Sequence, residues 1–246
     1  MCGRYELHTQ PAALALAFGV PFPATLQPRY NIAPMQEVPV VRLDHAGERE
    51  LAHVRWGLVP RWAKDPGIGA KMINARAETL AEKPSFRTAL KHHRCLIPAD
   101  GFYEWMASPS GAKQPIHIGM RDRAPFAFAG LLERWLSPAG DVLDTCTIIT
   151  TRANALLSPL HDRMPAIVPP ELFRRWLDVA NMDVADLLGP YPAEAMGYYR
   201  VSPRVNSVRN DDATLIAAVD IDLAVPAPTT AESTASSGPP EQNSLF

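Results

Sequence analysis

Cysteine stands second in the chain, and a residue of that size behind an initiator Met1 is normally left as the new N-terminus once the methionine is trimmed. Trimming would place a free α-amine and a thiol on one residue, Cys2, the arrangement known as a 1,2-aminothiol. In unperturbed peptides the amine titrates near ~8 and the thiol near ~8.5, so both nucleophiles are available around neutral pH. Aldehydes are their natural partners. Attack by the amine gives an imine, and attack by the thiolate on the same carbon closes a thiazolidine ring, favoured because the second step is intramolecular. Against this, chain ends commonly fray, and a cysteine is more often a small buried hydrophobe than a nucleophile. Cys2 taken alone favours this plainer reading.

Several other residues have types suited to such chemistry. Glu104 sits between Tyr103 and Trp105 in an apolar strand pattern, where partial desolvation would suit a carboxyl to shuttling protons during carbinolamine dehydration; the plain alternative is a strand carboxylate paired with an arginine. His161 precedes Asp162 and Arg163 in a proline-flanked loop and is the side chain best poised to protonate a sugar oxygen near neutral pH, although most lone histidines only satisfy local hydrogen bonds. Asn74 and Arg76 alternate, so a strand would put both on one face, able to orient an opened sugar and hold its phosphate or, more plainly, to brace a loop. Arg4 lies two residues beyond Cys2, and of the two tryptophans in RWGLVPRW, Trp56 is expected in the core and Trp62 outside it as a stacking platform. Arg55, Arg61, Lys64, Lys71, Arg87, Lys91 and Arg94 could build a basic face, about half of them being ordinary solvated surface.

The opening MCGRY, YNIAP at Tyr30–Pro34, MINARAET at Met72–Thr79, CLIPADGFYEW at Cys95–Trp105, ITTRAN at Ile149–Asn154, LHDRMP at Leu160–Pro165 and the late VSPRVNSVRND resemble, in order, the SOS-response-associated peptidase (SRAP) family. The resemblance covers nearly all of residues 2–219. It implies a DNA-damage protein that binds single-stranded DNA and links its N-terminal cysteine covalently to the ring-opened aldehyde of an abasic site, shielding the lesion. It also implies that Asn74, Arg76, Glu104 and His161 act around Cys2, and the expected DNA-binding set is Arg4, Trp62, Arg76, Thr150 and Arg163, with Arg4 contacting phosphate and Trp62 stacking on a base. It does not decide which of Glu104 and His161 moves which proton.

The elements that must hold these residues read as short apolar and β-branched stretches at Val38–Leu43, Leu51–Leu58, Cys95–Ile97, Phe102–Met106, Ile116–Met120, Phe126–Leu132 and Thr145–Thr151. Helical patterns are fewer: Pro11–Phe18, Ser85–His92 and Pro170–Val179. The expected class is α+β, a single domain over residues 2–223 built on a strongly bent, mostly antiparallel sheet or barrel with a few flanking helices. The 25 prolines argue for many defined turns rather than long helices.

Composition narrows the setting. No run of about 18 apolar residues could span a bilayer, and the N-terminus lacks the basic and apolar regions of a signal peptide, so a cytoplasmic, nucleoid-associated location is expected. Cys2, Cys95 and Cys146 form no CxxC pair; Cys95 and Cys146 fall in apolar strands and are assigned to the core, with no disulfide, metal or cofactor expected. The net charge of −2 hides an asymmetry, because six acids follow Arg209, the last basic residue, and the chain before them carries an excess of four positive charges. That is compatible with a phosphate-binding face without establishing one.

From Ala224 the sequence turns to Pro, Ser, Thr and Ala without apolar periodicity, the pattern of a flexible tail over residues 224–246. Its end, QNSLF, is similar to the short peptide by which bacterial repair proteins hook the sliding clamp, with Gln242, Leu245 and Phe246 as the contacts and Asn243 departing from the usual Leu. Two other function classes compete: an N-terminal-nucleophile hydrolase using the Cys2 amine as base, which needs an oxyanion hole that is not identifiable here, and a non-covalent module binding single strands and the clamp. A lyase side reaction through the imine is a further expectation, and a monomer is expected.

Overall fold

The computed structural model describes residues 2–107, 111 and 113–219. Its centre is a closed barrel of five strands: β3 (Glu37–Leu43), β4 (Arg49–Trp56), β6 (Arg94–Ala99), β9 (Phe126–Leu136) and β10 (Val142–Arg152). The neighbours run β10-β4-β3-β6-β9 and back to β10, with β10 and β4 parallel and the other pairs antiparallel. Closure leaves no open edge on these strands and buries their inner face, while the helices Arg87–His92 and Phe173–Leu177 pack on the outside of β6 and β9, so that β6 and most of β9 are buried on both faces. The β3–β4 turn is set by Asp44, whose carboxylate accepts from the N–H groups of Ala46 (2.8 Å) and Glu48 (3.0 Å), and by Gly47 at φ 81°.

A second, fully antiparallel sheet has the order β13 (Met196–Arg200), β8 (Lys113–Met120), β7 (Gly101–Ala107), β1 (Tyr5–Leu7) and β2 (Arg29–Ile32). The chain passes from barrel to sheet at Asp100, between β6 and β7; its carboxylate accepts from the N–H of His8 (2.5 Å) and from the N–H (2.6 Å) and hydroxyl (2.7 Å) of Thr9. The expected α+β class, bent antiparallel sheet and closed barrel are observed, with parallel pairing confined to β10, which pairs so with β4 and with β5 (Asn74–Arg76).

Trp56, Tyr5 and Phe128 meet edge to face inside, with Trp56 Nε1 donating to the Ile73 carbonyl at 2.9 Å. Cys95 and Cys146 are core thiols, as expected. Helix α1 (Pro11–Phe18) starts on proline and ends on Gly19 in the left-handed region, matching the expected bounds; α2 (Arg87–His92) and α3 (Phe173–Leu177) are shorter than their apolar patterns. Arg94 departs from its expected place on a basic face. It is buried, and its guanidinium donates to the carbonyls of Trp176 (2.6 Å), Leu90 (3.2 Å), Asn181 (2.9 Å) and Asp178, so it ties α2 and α3 to β6. Among the described residues no helix is long and apolar enough to cross a membrane. The expected tail from Ala224, with Gln242, Leu245 and Phe246, lies outside the described residues.

Candidate active site

The first residues of the chain are built into the fold. Cys2 is fully buried, its thiol 4.0 Å from the Arg4 carbonyl. The N–H of Tyr103 donates to that same carbonyl at 3.0 Å, carrying the β1–β7 pairing past Tyr5 toward Cys2. Alternation along β7 puts Glu104 on the face shared by Phe102 and Met106, and Glu104 is 6% exposed. Burial drives the Cys2 thiol well above its ordinary range, and the negative charge of Glu104 pushes it further.

Asn74 clamps Cys2 from the other side. Its Nδ2 donates to the Cys2 carbonyl at 2.8 Å, while its buried Oδ1 has no partner among the described residues. The short strand β5 is held in parallel register on β10, Ile148 against Asn74 and Thr150 against Arg76, so that Ala75 enters the core while Arg76 is exposed. The expected alternation of Asn74 and Arg76 is therefore present.

On the opposite side of β10 lies β11 (Arg163–Pro165), in antiparallel register with Thr150–Arg152. Arg163 reaches across the strand: Nη1 and Nη2 donate to the two oxygens of Glu78 at 2.6 and 2.9 Å, and Nη2 also donates to the Thr150 carbonyl at 2.6 Å. Thr150 itself is fully buried and contributes mainly this carbonyl. The imidazole of His161 stands at the start of the same segment. Its Nδ1 accepts from the Arg163 N–H at 2.9 Å and lies 2.8 Å from the Asp162 carboxylate. A neutral ring with Nδ1 unprotonated satisfies the first contact, and a protonated ring the second, so either charge state finds a partner.

Arg4 is half-buried and bound on its Nη1 by Asn31 Oδ1 (2.7 Å) and the Val205 carbonyl (2.8 Å), with its guanidinium 5.8 Å from the centre of the Trp105 ring. Trp62 is 57% exposed, as a stacking platform requires, and Trp56 is core. Three contributors escaped the sequence reading. Glu78 pairs with Arg163. Asn31, fully buried, donates to the carbonyls of Val205, Ser207 and Asn210 while accepting from Arg4. Trp105 donates from Nε1 to Asn206 at 2.7 Å. All three lie inside segments that carry the family resemblance, which is the signal that could have found them.

Beneath this site, on the other face of the sheet, sits a buried ionic cluster. Glu6 Oε1 is 2.7 Å from His117 Nε2, and His8 Nδ1 lies 3.0 Å from Glu6 and 3.2 Å from Asp100. Gly101 permits it, since a Cβ there would overlap the His117 and Glu6 side chains. Burial raises the Glu6 carboxyl, but hydrogen bonds from His117 and His8 outweigh it and leave the pKa lowered; the Glu6 bond raises His8 against a smaller opposing effect of burial.

The family described as SOS response associated peptidase (SRAP) matches residues 1–208. The chain is 46% identical over 222 residues to the abasic site processing protein YoqW of Bacillus subtilis (strain 168), covering 88% of this chain and 99% of that one. It is 35% identical over 224 residues to the abasic site processing protein HMCES of Xenopus tropicalis, covering 78% and 67%. Among solved structures, a protein from Bacteroides thetaiotaomicron superposes with a TM-score of 0.78 at 28% identity, over 88% of this chain and 99% of that one. With Cys2 held by Asn74, and the family matched over residues 1–208, this chain belongs to the SRAP family.

Proposed function

We propose that this protein handles abasic sites in single-stranded DNA, and that after removal of Met1 the residue Cys2 captures the ring-opened sugar as a thiazolidine. The abasic-site part of this reading is supported by the named activity of relatives such as YoqW and HMCES. The covalent part is carried by one observation: the second residue, where chains ordinarily fray, is buried and held by its carbonyl to Asn74. In the capture step the α-amine adds to the aldehyde carbon, and loss of water from the carbinolamine leaves an imine. The sulfur then adds to the imine carbon, forming the C–S bond as the nitrogen takes up a proton and the thiol gives one up. Glu104 and His161 are the proton carriers. Asn74 Oδ1 accepts from a sugar hydroxyl, Arg4, Arg76 and Arg163 line the backbone track with buried Thr150 holding Arg163 from behind, and Trp62 stacks on a base. Reading sugar and backbone alone, the site carries little base specificity. The tail adds a tether through Gln242, Leu245 and Phe246 to a sliding clamp.

The test is a denaturing gel of purified protein, its Met1 removal checked by mass, incubated with a single-stranded oligonucleotide carrying one abasic site. A heat-stable shifted band that requires both Cys2 and the abasic aldehyde is expected. A band persisting in Cys2→Ala, or with undamaged DNA, overturns the reading. A protein that binds the strand without any band is a binding module; one that cleaves peptides through Cys2 is the hydrolase.

A further inference from the structure

We propose that Glu78 is an internal stand-in for a DNA phosphate: it neutralises Arg163 in the free protein and is displaced when a single strand binds. The inference rests on the single-strand reading above and adds a residue and a mode of regulation to it. Arg163 has a side chain only 12% exposed, and leaving its charge without an anion there would be costlier than at the surface. Glu78 supplies one in the planar, two-bond fork that a guanidinium also offers to phosphate. The two partners are anchored unequally. Arg163 is fixed from behind by the Thr150 carbonyl, whereas the Glu78 side chain is 53% exposed and stands on the short turn Ala77–Thr79 that directly follows Arg76.

A phosphate arriving between Arg76 and Arg163 therefore meets a fixed guanidinium and a carboxylate able to turn into water. Exposed Arg76, two residues before Glu78 in the chain, adds a second positive charge near the same carboxylate. Arg4 offers a contrast, because its hydrogen-bond partners among the described residues are a neutral amide oxygen and a carbonyl oxygen. The exchange sets a threshold: an anion must outcompete Glu78 in fork geometry, which a strand aligned along β5 and β11 does better than diffuse polyanion.

The experiment measures the affinity of an undamaged single-stranded oligonucleotide by fluorescence anisotropy across a range of salt for wild type, Glu78→Gln, Arg163→Gln and the double variant. Glu78→Gln is expected to bind about threefold to tenfold tighter, with the slope of log K against log salt steeper by about 0.7, as for one more ion released from a single strand. Arg163→Gln is expected to bind more weakly, and the double variant to show no gain over Arg163→Gln. Equal or weaker binding by a folded Glu78→Gln, with wild type binding normally, overturns this inference alone. Failure of wild type to bind any single strand overturns the functional reading together with it. Should Glu78→Gln not fold, the guanidinium nitrogen resonances of Arg163 in wild type decide: a shift on adding the oligonucleotide, with buried Arg94 unmoved, supports the exchange, and an unchanged Arg163 refutes it.

Discussion

Replacing Asn74 by alanine removes two things from the site at once. The first is the 2.8 Å hydrogen bond to the Cys2 carbonyl, worth about 0.5–1.5 kcal/mol net, and somewhat more if the carbonyl stays dry and unpaired. The second is the unpartnered Oδ1, which the proposed function assigns to the opened sugar at a further ~1 kcal/mol. If both act in the transition state they total roughly 1.5–2.5 kcal/mol, or about 13- to 70-fold in rate, since each 1.36 kcal/mol is tenfold. The fold should survive, because β5 is held to β10 through its backbone and Ala75, not Asn74, enters the core. A single-turnover time course of crosslinking to an abasic oligonucleotide reads the rate, and a thermal melt checks the fold. Asn74→Asp separates the two effects: it keeps an acceptor for the sugar, loses the donor to Cys2 and adds a negative charge beside a thiol already opposed by Glu104. It is expected to be at least as slow as Asn74→Ala. A loss below about threefold in a folded Asn74→Ala refutes the reasoning, since under ~0.7 kcal/mol would then separate a positioned Cys2 from a loose one.

Three further outcomes follow from the same geometry. Glu104→Gln removes the charge that opposes thiolate formation, so the pH midpoint for alkylation of Cys2 should fall while crosslinking slows by roughly 100-fold or more; faster crosslinking would mean Glu104 acts only as a charge and carries no proton. His8, raised by its bond to Glu6, adds stability that is complete below about pH 6.5 and is lost as pH rises through its higher folded pKa. Glu6, lowered, adds stability that is present above about pH 4.5 and is lost as pH falls through its depressed folded value. Thermal midpoints should therefore decline on the alkaline side, with His8→Gln flattening that limb; an identical alkaline limb in the variant counts against the cluster. Removing Leu245 and Phe246 should abolish binding to a bacterial sliding clamp and leave the crosslinking rate unchanged, which pull-down and gel assays read separately.

Some of this arrangement was legible in the sequence and some was not. Seven apolar and β-branched stretches marked β3, β4, β6, β7, β8, β9 and β10, and proline followed by glycine bounded α1. Strands such as β1, β11 and β12 have two or three residues, too few for any period to be visible, and owe their conformation to the partners they meet. Glu104 was placed correctly because Tyr103 and Trp105 flank it in a recognisable strand. Arginines were harder. Arg94 and Arg76 look alike as letters, yet one caps carbonyls in the interior and the other faces solvent, a difference set by α3 packing on β6. Glu78 and Asn31 act through partners 85 and 174 positions away, and no local pattern carries that information.

The order of steps in the proposed reaction leads to a last prediction. Burial and the charge of Glu104 both oppose the Cys2 thiolate while Met1 is in place, and in the proposed order the amine released by loss of Met1 attacks first, so that the imine precedes the C–S bond. From the imine two exits compete. Sulfur addition closes the ring; alternatively a base removes a proton from C2′, the C3′–O bond breaks, and the 3′ phosphate leaves with a nicked strand. The sulfur wins because it is on the same residue as the nitrogen, with the high effective concentration of an intramolecular partner. Cys2→Ser keeps the amine and the fold but offers a hydroxyl, a far weaker nucleophile toward the imine. The variant should thus nick an abasic strand where wild type traps it, and borohydride added early should reduce its imine to a stable covalent adduct. Intact, unlinked strand together with no borohydride trapping would mean that the amine does not attack first, and the proposed order would fall.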